Sequence, residues 1–78
     1  MATAFVTIKA QVGQVKEILD KLQKIENVIE AHAITGAFDI IIKIKGDNLE
    51  QITKMVVTKI PNDIPRVQDT VTYLVIDI

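Results

Sequence analysis

The chain contains no cysteine, no serine and no tryptophan, one histidine, two prolines and three glycines among its 78 residues. The missing cysteine excludes a disulfide framework and a thiolate metal site. Together with the missing serine, it removes two of the usual side-chain nucleophiles. The single histidine, His32, excludes a multi-histidine metal centre and has no acid or nucleophile at a catalytic spacing. Catalysis, metal and cofactor are therefore not expected. Gly13, Gly36 and Gly46 stand apart, so no clustered-glycine loop can cradle a phosphate. Aromatic residues make up only 4%. An RNA-binding sheet would carry aromatics on its central strands within a basic field, and only Phe5 and Phe38 could serve, without that field. An excess of either charge is also absent: nine basic and ten acidic side chains give a net charge of −1, and they are scattered. This argues against direct nucleic-acid binding, which shows a basic face. No apolar run approaches the roughly 20 residues of a membrane helix. The N-terminus lacks the basic segment and apolar core of a secretory signal. The expectation is a cytoplasmic protein that touches neither membrane nor nucleic acid directly.

What is present is mostly isoleucine and valine, within a hydrophobic content of 49%. The length fits one domain over residues 1–78. A chain this short buries a modest share of its surface and is marginal alone. Without disulfides or metal, the remaining route to stability is self-association.

Alternation and helical periodicity divide the chain in order. Thr3 to Lys9 is dense in β-branched residues and reads as a strand, with Ala4, Val6 and Ile8 on one face and Thr3, Phe5 and Thr7 on the other. Gly13 opens a helix to about Glu26, its apolar stripe being Val12, Val15, Leu19, Leu22 and Ile25 or Glu26. Glu17 and Lys21 have the favoured i, i+4 spacing. Val28 to Ile34 is a second strand whose one face mixes Val28, Glu30, His32 and Ile34, as an edge strand would. Phe38 to Lys45 is the third, with Phe38, Ile40, Ile42 and Ile44 on one face. Asp47, with Glu50 three residues on, has the spacing of a capping box for a second helix. That helix carries Leu49, Ile52, Val56 and Ile60, and Pro61 is expected to end it at or before Ile60. After the loop Pro61 to Pro65, the last strand runs from about Val67 to Ile78.

The order β-α-β-β-α-β predicts an α+β, ferredoxin-like sandwich. Its four-stranded antiparallel sheet would carry two helices on one face, with the first strand between the third and fourth and the second on an edge. The other face would be bare. Both faces of the last strand carry apolar residues (Val71, Tyr73 and Val75 against Leu74, Ile76 and Ile78), and a solvated face is normally more polar. A second copy is therefore expected on the open face.

One stretch suggests chemistry. Ile34-Thr35-Gly36-Ala37-Phe38-Asp39 joins the second and third strands. Gly36 admits a positive φ and close approach to the backbone. Amides around it could hold a carboxylate, and Asp39 stands beside them. An anion site next to a fixed carboxylate complements a free amino acid. The alternative is a plain turn whose Asp39 caps backbone amides. The residues alone leave both readings open.

Thr35-Gly36-Ala37-Phe38-Asp39 resembles the Thr/Ser-Gly-x-aromatic-Asp signature of the ligand-binding (RAM) domain of the Lrp/AsnC, or feast/famine, transcriptional regulators. The resemblance spans essentially the whole chain: Val12-Gly13 at the start of the first helix, Asn27-Val28 entering strand two, the apolar run after Asp39, and Val67-x-x-Thr70-x-Thr72 entering strand four. It implies a non-enzymatic, amino-acid-binding regulatory module. Such a module would dimerise through its sheet faces and assemble into rings of dimers, with effectors between dimers. By resemblance, Thr35, Gly36, Ala37, Phe38 and Asp39 line the effector pocket. Thr70 and Thr72 would contribute from the same or a neighbouring subunit. The family often has Tyr at the aromatic position; Phe38 brings no hydroxyl. Full regulators also carry a helix-turn-helix domain, which this sequence lacks, so it resembles the stand-alone RAM proteins. Co-assembly with DNA-binding relatives is then the expected route to transcription. Two other readings compete: an ACT-like regulatory domain, with Gly13 in the loop after strand one, and a small dimeric ferredoxin-like enzyme.

Overall fold

Thr3, Phe5, Val6, Thr7 and Ile8, β-branched or aromatic, favour the extended strand β1 (Ala2–Ala10), and the rest of the sheet is built around it. The computed structural model describes residues 1–76. Along β1, every second residue from Ala4 to Ala10 is buried, whereas Phe5 and Lys9 are exposed. The other strands are β2 (Val28–Ala33), β3 (Ile40–Gly46) and β4 (Val67–Leu74). All pair antiparallel, in the order β2-β3-β1-β4. Two helical layers, α1 (Val15–Leu22) and the segment beginning with α2 (Leu49–Lys54), cover one face. This is the ferredoxin-like α+β fold, with β1 central and β2 on an edge as expected.

The core lies between that face and the helices. Ile40, Ile42 and Ile44 of β3 meet Ala4, Val6 and Ile8 of β1 across the ladder, and Ile18, Leu22, Ile52 and Ile60 close over them. The core is aliphatic throughout, and no polar or charged residue is buried among the described residues. Each fully buried isoleucine removes enough apolar surface from water to stabilise the fold by about 1.5–3 kcal/mol.

Several boundaries differ from the expectation, each for an identifiable reason. α1 starts at Val15, because Gly13 (φ 79°) belongs to a turn closed by Gln14 N–H to Gln11 O at 3.0 Å. Val12, placed on the apolar stripe, is 99% exposed. The inward stripe centres on Ile18 instead, with Leu22 and Ile25. The last helical turn tightens into i→i+3 bonds, Lys24 N–H to Lys21 O and Ile25 N–H to Leu22 O. On β2, an irregularity between Val28 and Glu30 parts the face expected to be shared. Val28 pairs with Ile44 and packs on the core, whereas Glu30 and His32 pair with Lys43 and Ile41 on the open face.

The second helix is capped one residue later than expected. Asn48, not Asp47, is its N-cap: Asn48 Oδ1 accepts the Gln51 N–H at 2.9 Å, and Gln51 Oε1 accepts the Asp47 N–H. Glu50 takes no part in this cap, and Leu49 is half-exposed rather than inward. Nor does Pro61 end the helix. A π-helical segment, Met55–Lys59, follows α2 and leads directly into α3 (Ile60–Asp63). Ile60 N–H donates to Met55 O, an i→i−5 bond. A proline cannot donate to the carbonyl four residues back, and its ring clashes there. The bonding register changes by one residue just before Pro61, where the proline ring and its missing N–H disfavour a regular α-turn.

β4 is assigned to Leu74, although Val75 N–H still donates to Thr3 O at 2.9 Å. The expected continuation through Asp77 and Ile78 lies outside the described residues.

Candidate functional site

The β2–β3 connection is a six-residue turn, Ile34 to Asp39, closed by Ile34 N–H to Asp39 O at 2.8 Å. Strand β3 begins at Ile40, so Phe38 and Asp39, expected within it, belong to the turn. Gly36 has φ 136°, a region that side chains rarely enter, and open space surrounds its Cα. Thr35, Gly36 and Ala37 are exposed; Phe38 and Asp39 are half-buried. Within the turn only Ile34 and Asp39 donate to backbone acceptors. The intervening amides are not used by the sheet.

The turn is fixed from β1. Asp39 N–H donates to Ile8 O at 3.0 Å, and Asp39 Oδ2 accepts the Ala10 N–H at 2.9 Å. A carboxylate thus replaces the next backbone acceptor of the ladder, at the point where β1 shifts register against β4 between Lys9 and Ala10. The capping role open to Asp39 is therefore realised, with a partner on β1 rather than in the turn. One carboxylate oxygen is committed to structure. Lys9 adds a second tie, its Nζ lying 3.4 Å from Ala37 O. Neither Lys9 nor Ala10 was identifiable from its surroundings in sequence, because both reach the turn only through pairing of distant strands.

Thr35 to Asp39 are contiguous in space, but Thr70 and Thr72 are not beside them. Thr70 pairs with Ile8 and Thr72 with Val6 on the far side of β1. Two strand spacings, roughly 10 Å, separate β4 from β3. Thr70 lies level with the start of β3, since Ile8 pairs with both Thr70 and Ile40. Thr72 lies one pleat further from the turn. Both share the helix-side face with Val6 and Ile8. Within one chain they form no single cleft with the turn.

At the other end of the sheet is a groove of about 380 Å³, lined by Met1, Glu26, Asn27, Ile29, Lys45, Gly46, Asp47 and Gln51. Two of its amide side chains bond the backbone: Asn27 Nδ2 donates to Lys45 O, and Gln51 Oε1 accepts the Asp47 N–H. The space a side chain on Gly46 would fill is occupied, since a Cβ would lie 2.8 Å from Gln51 Oε1. Among the described residues, no three His, Cys, Asp or Glu side chains cluster to hold a metal. No helix there is long and apolar enough to cross a membrane.

A βαββαβ sheet with one bare face, and a glycine turn tied down by an aspartate, define a ferredoxin-like α+β domain. The Lrp/AsnC ligand-binding domain family matches residues 3–78, and the chain belongs to that family. It is 36% identical over 75 residues to an uncharacterized HTH-type transcriptional regulator of Pyrococcus furiosus, covering 92% of this chain and 49% of that protein. It is 32% identical over 73 residues to the HTH-type transcriptional regulator FL11 of Pyrococcus abyssi, covering 94% of this chain and 47% of that one. The chain therefore spans about half the length of these relatives. The crystal structure of FFRP-DM1 superposes with a TM-score of 0.91 at 32% identity, covering 97% of this chain and all of that one. The two curated relatives are named as regulators, which points away from catalysis.

Proposed function

We propose that this chain is the effector-sensing module of an Lrp/AsnC-type regulatory system, binding a free amino acid at the Thr35–Asp39 turn in a pocket completed by a second subunit. The observation that carries this reading is the turn itself. Its exposed amides are held in one conformation by the Asp39–Ala10 bond and are not consumed by the sheet. Such amides suit a carboxylate. The Ala10 N–H bonds Asp39 Oδ2, which leaves Oδ1 as the oxygen that would accept an ammonium group. A regulator from Neisseria meningitidis, 18% identical with a TM-score of 0.85, is described as an L-Met complex. At that identity the likeness is one of fold, and it supplies the first ligand to test.

The open sheet face supports dimerisation. Phe5, Ile41, Val71, Tyr73 and Val75 lie on it, with Tyr73 54% exposed. A second copy against this face would bring two turns into one assembly, and rings of dimers would place effectors between them. Thr70 and Thr72 would then reach a turn only from a neighbouring subunit. Transcription would be modulated by co-assembly with a DNA-binding relative, in the cytoplasm.

The test is calorimetric titration of the chain with each of the twenty amino acids, L-methionine first, repeated on Gly36→Ala and Gly13→Ala. Binding lost in Gly36→Ala and kept in Gly13→Ala is the expected result. Loss only in Gly13→Ala would move the site to the loop after β1, the ACT-like arrangement, and silence across the panel would remove the effector role.

A further inference from the structure

Lys9 stands between two aspartates. On β4 its partner in the ladder is Asp69. On the other side, Asp39 bonds both of its chain neighbours, Ile8 at the carbonyl and Ala10 at the amide. A lysine so placed would ordinarily close an ion pair, since a charged acceptor holds an ammonium more strongly than a neutral one. Among the described residues Lys9 forms none. Its Nζ reaches instead to the carbonyl of Ala37, at 3.4 Å. Each aspartate is engaged with an amide at 2.9 Å, Asp69 Oδ1 with the Thr70 N–H and Asp39 Oδ2 with the Ala10 N–H. The result is an exposed ammonium held at the turn by a long bond to a neutral oxygen. A carboxylate arriving there would be the better acceptor.

The turn therefore offers three recognition positions. The amides between Ile34 and Asp39 suit one carboxylate. Asp39 Oδ1 suits one ammonium. Lys9 suits a second anion. A neutral amino acid carries one group of each sign and leaves a position unmatched. An acidic amino acid carries one ammonium and two carboxylates, and matches all three. The spacing permits this. Ala37 and Asp39 are two residues apart, so their Cα atoms lie within about 7 Å of each other, the scale of a dicarboxylic amino acid.

We infer that Lys9 binds the side-chain carboxylate of the effector, and that the turn selects an acidic amino acid, glutamate or aspartate. This rests on the pocket proposed above. At an open surface, water and salt screen a contact of this kind. A second subunit closing over the turn would exclude both and strengthen the attraction.

Calorimetric titrations with L-glutamate, L-aspartate and their amides, L-glutamine and L-asparagine, test this on the wild-type chain, Lys9→Met, Lys9→Arg and Arg66→Gln. Each amide has nearly the shape of its acid, so the ratio of acid to amide affinity isolates the charge. The wild-type chain should bind the preferred acid at least tenfold more tightly than its amide, and that ratio should shrink as salt rises. Both readouts are independent of any variant. Lys9→Met should lower the ratio at least tenfold, and Lys9→Arg should restore most of it. Arg66 stands at the same end of the sheet, its carbonyl accepting the Gln11 N–H at 3.1 Å, and Arg66→Gln should leave the ratio unchanged. Equal wild-type affinity for acid and amide, or binding of some other amino acid alone, would overturn the inference and leave the pocket standing. Acid and amide weakened by the same factor in Lys9→Met would also overturn it, confining Lys9 to holding the turn. A ratio lost in Arg66→Gln and kept in Lys9→Met would assign the contact to Arg66 instead. Silence across all twenty amino acids would overturn the pocket, and the inference with it.

Discussion

At the scale of single residues, Asp39 carries more than its place beside a glycine suggests. Its carboxylate accepts a β1 amide, a charge-assisted hydrogen bond in a half-buried position. Bonds of this kind are worth about 1.5–3 kcal/mol, and an amide left without its partner adds a desolvation cost. Asp39→Ala should therefore lower unfolding stability by about 1.5–3 kcal/mol in denaturant titration at fixed protein concentration. Asp39→Asn keeps an acceptor oxygen and should cost less than half as much. The pair separates structure from recognition. If Asp39 also holds an effector's ammonium, Asp39→Asn should lose amino-acid binding while retaining most stability. Equal binding by the Asp39→Asn variant and the wild type would confine Asp39 to the turn.

At the scale of elements, the sheet was legible in the sequence because its core strands alternate cleanly. Ile40, Ile42 and Ile44 are all inward, as are Ala4, Val6 and Ile8. What escaped were features set by non-local fit. The irregularity that turns Glu30 away from Val28 arises from pairing with β3. The helix passes Pro61 through a π turn, where local rules predict that it ends. The candidate site was half legible: glycine and aspartate mark the turn, but the ties from Lys9 and Ala10 depend on where β1 ends. The junction of β3 with α2 shows the same dependence. Gly46 has no unusual local role, yet a Cβ there would meet Gln51 Oε1 at 2.8 Å and Ile52 Cγ1 at 3.1 Å. Gly46→Ala should therefore displace the Gln51 side chain from the Asp47 amide and destabilise the fold by about 1–3 kcal/mol. Combined with Gln51→Ala it should cost less than the sum of the two single changes, because both disturb one contact. Additive losses in a double-mutant cycle would show that Gly46 and Gln51 act separately. Asn48→Ala, removing the N-cap acceptor, should cost about 0.5–2 kcal/mol on its own.

At the scale of the whole molecule, a small aliphatic core lies under one face of the sheet, and the other face leaves Phe5 and Tyr73 exposed. If copies associate through the open face, as proposed above, apolar area is buried only in the assembly, and the melting temperature of this chain should rise with protein concentration. An effector bound in a pocket built from two subunits would add to that dependence. A ligand that binds the assembled form and not the unfolded chain stabilises it by RT ln(1 + [L]/Kd), about 2.7 kcal/mol at one hundred times Kd. If the Thr35–Asp39 turn is only part of such a pocket, the same amino acid should bind tightly to concentrated protein and weakly below the dissociation constant of the assembly. Dilution should weaken the ligand, and the ligand should oppose dilution, because the coupling is reciprocal. Titrating L-methionine, or whichever amino acid the panel selects, into the chain at protein concentrations on either side of that constant measures both directions. Affinity that does not change across the range would place the whole pocket within one subunit, where β1 separates the turn from Thr70 and Thr72.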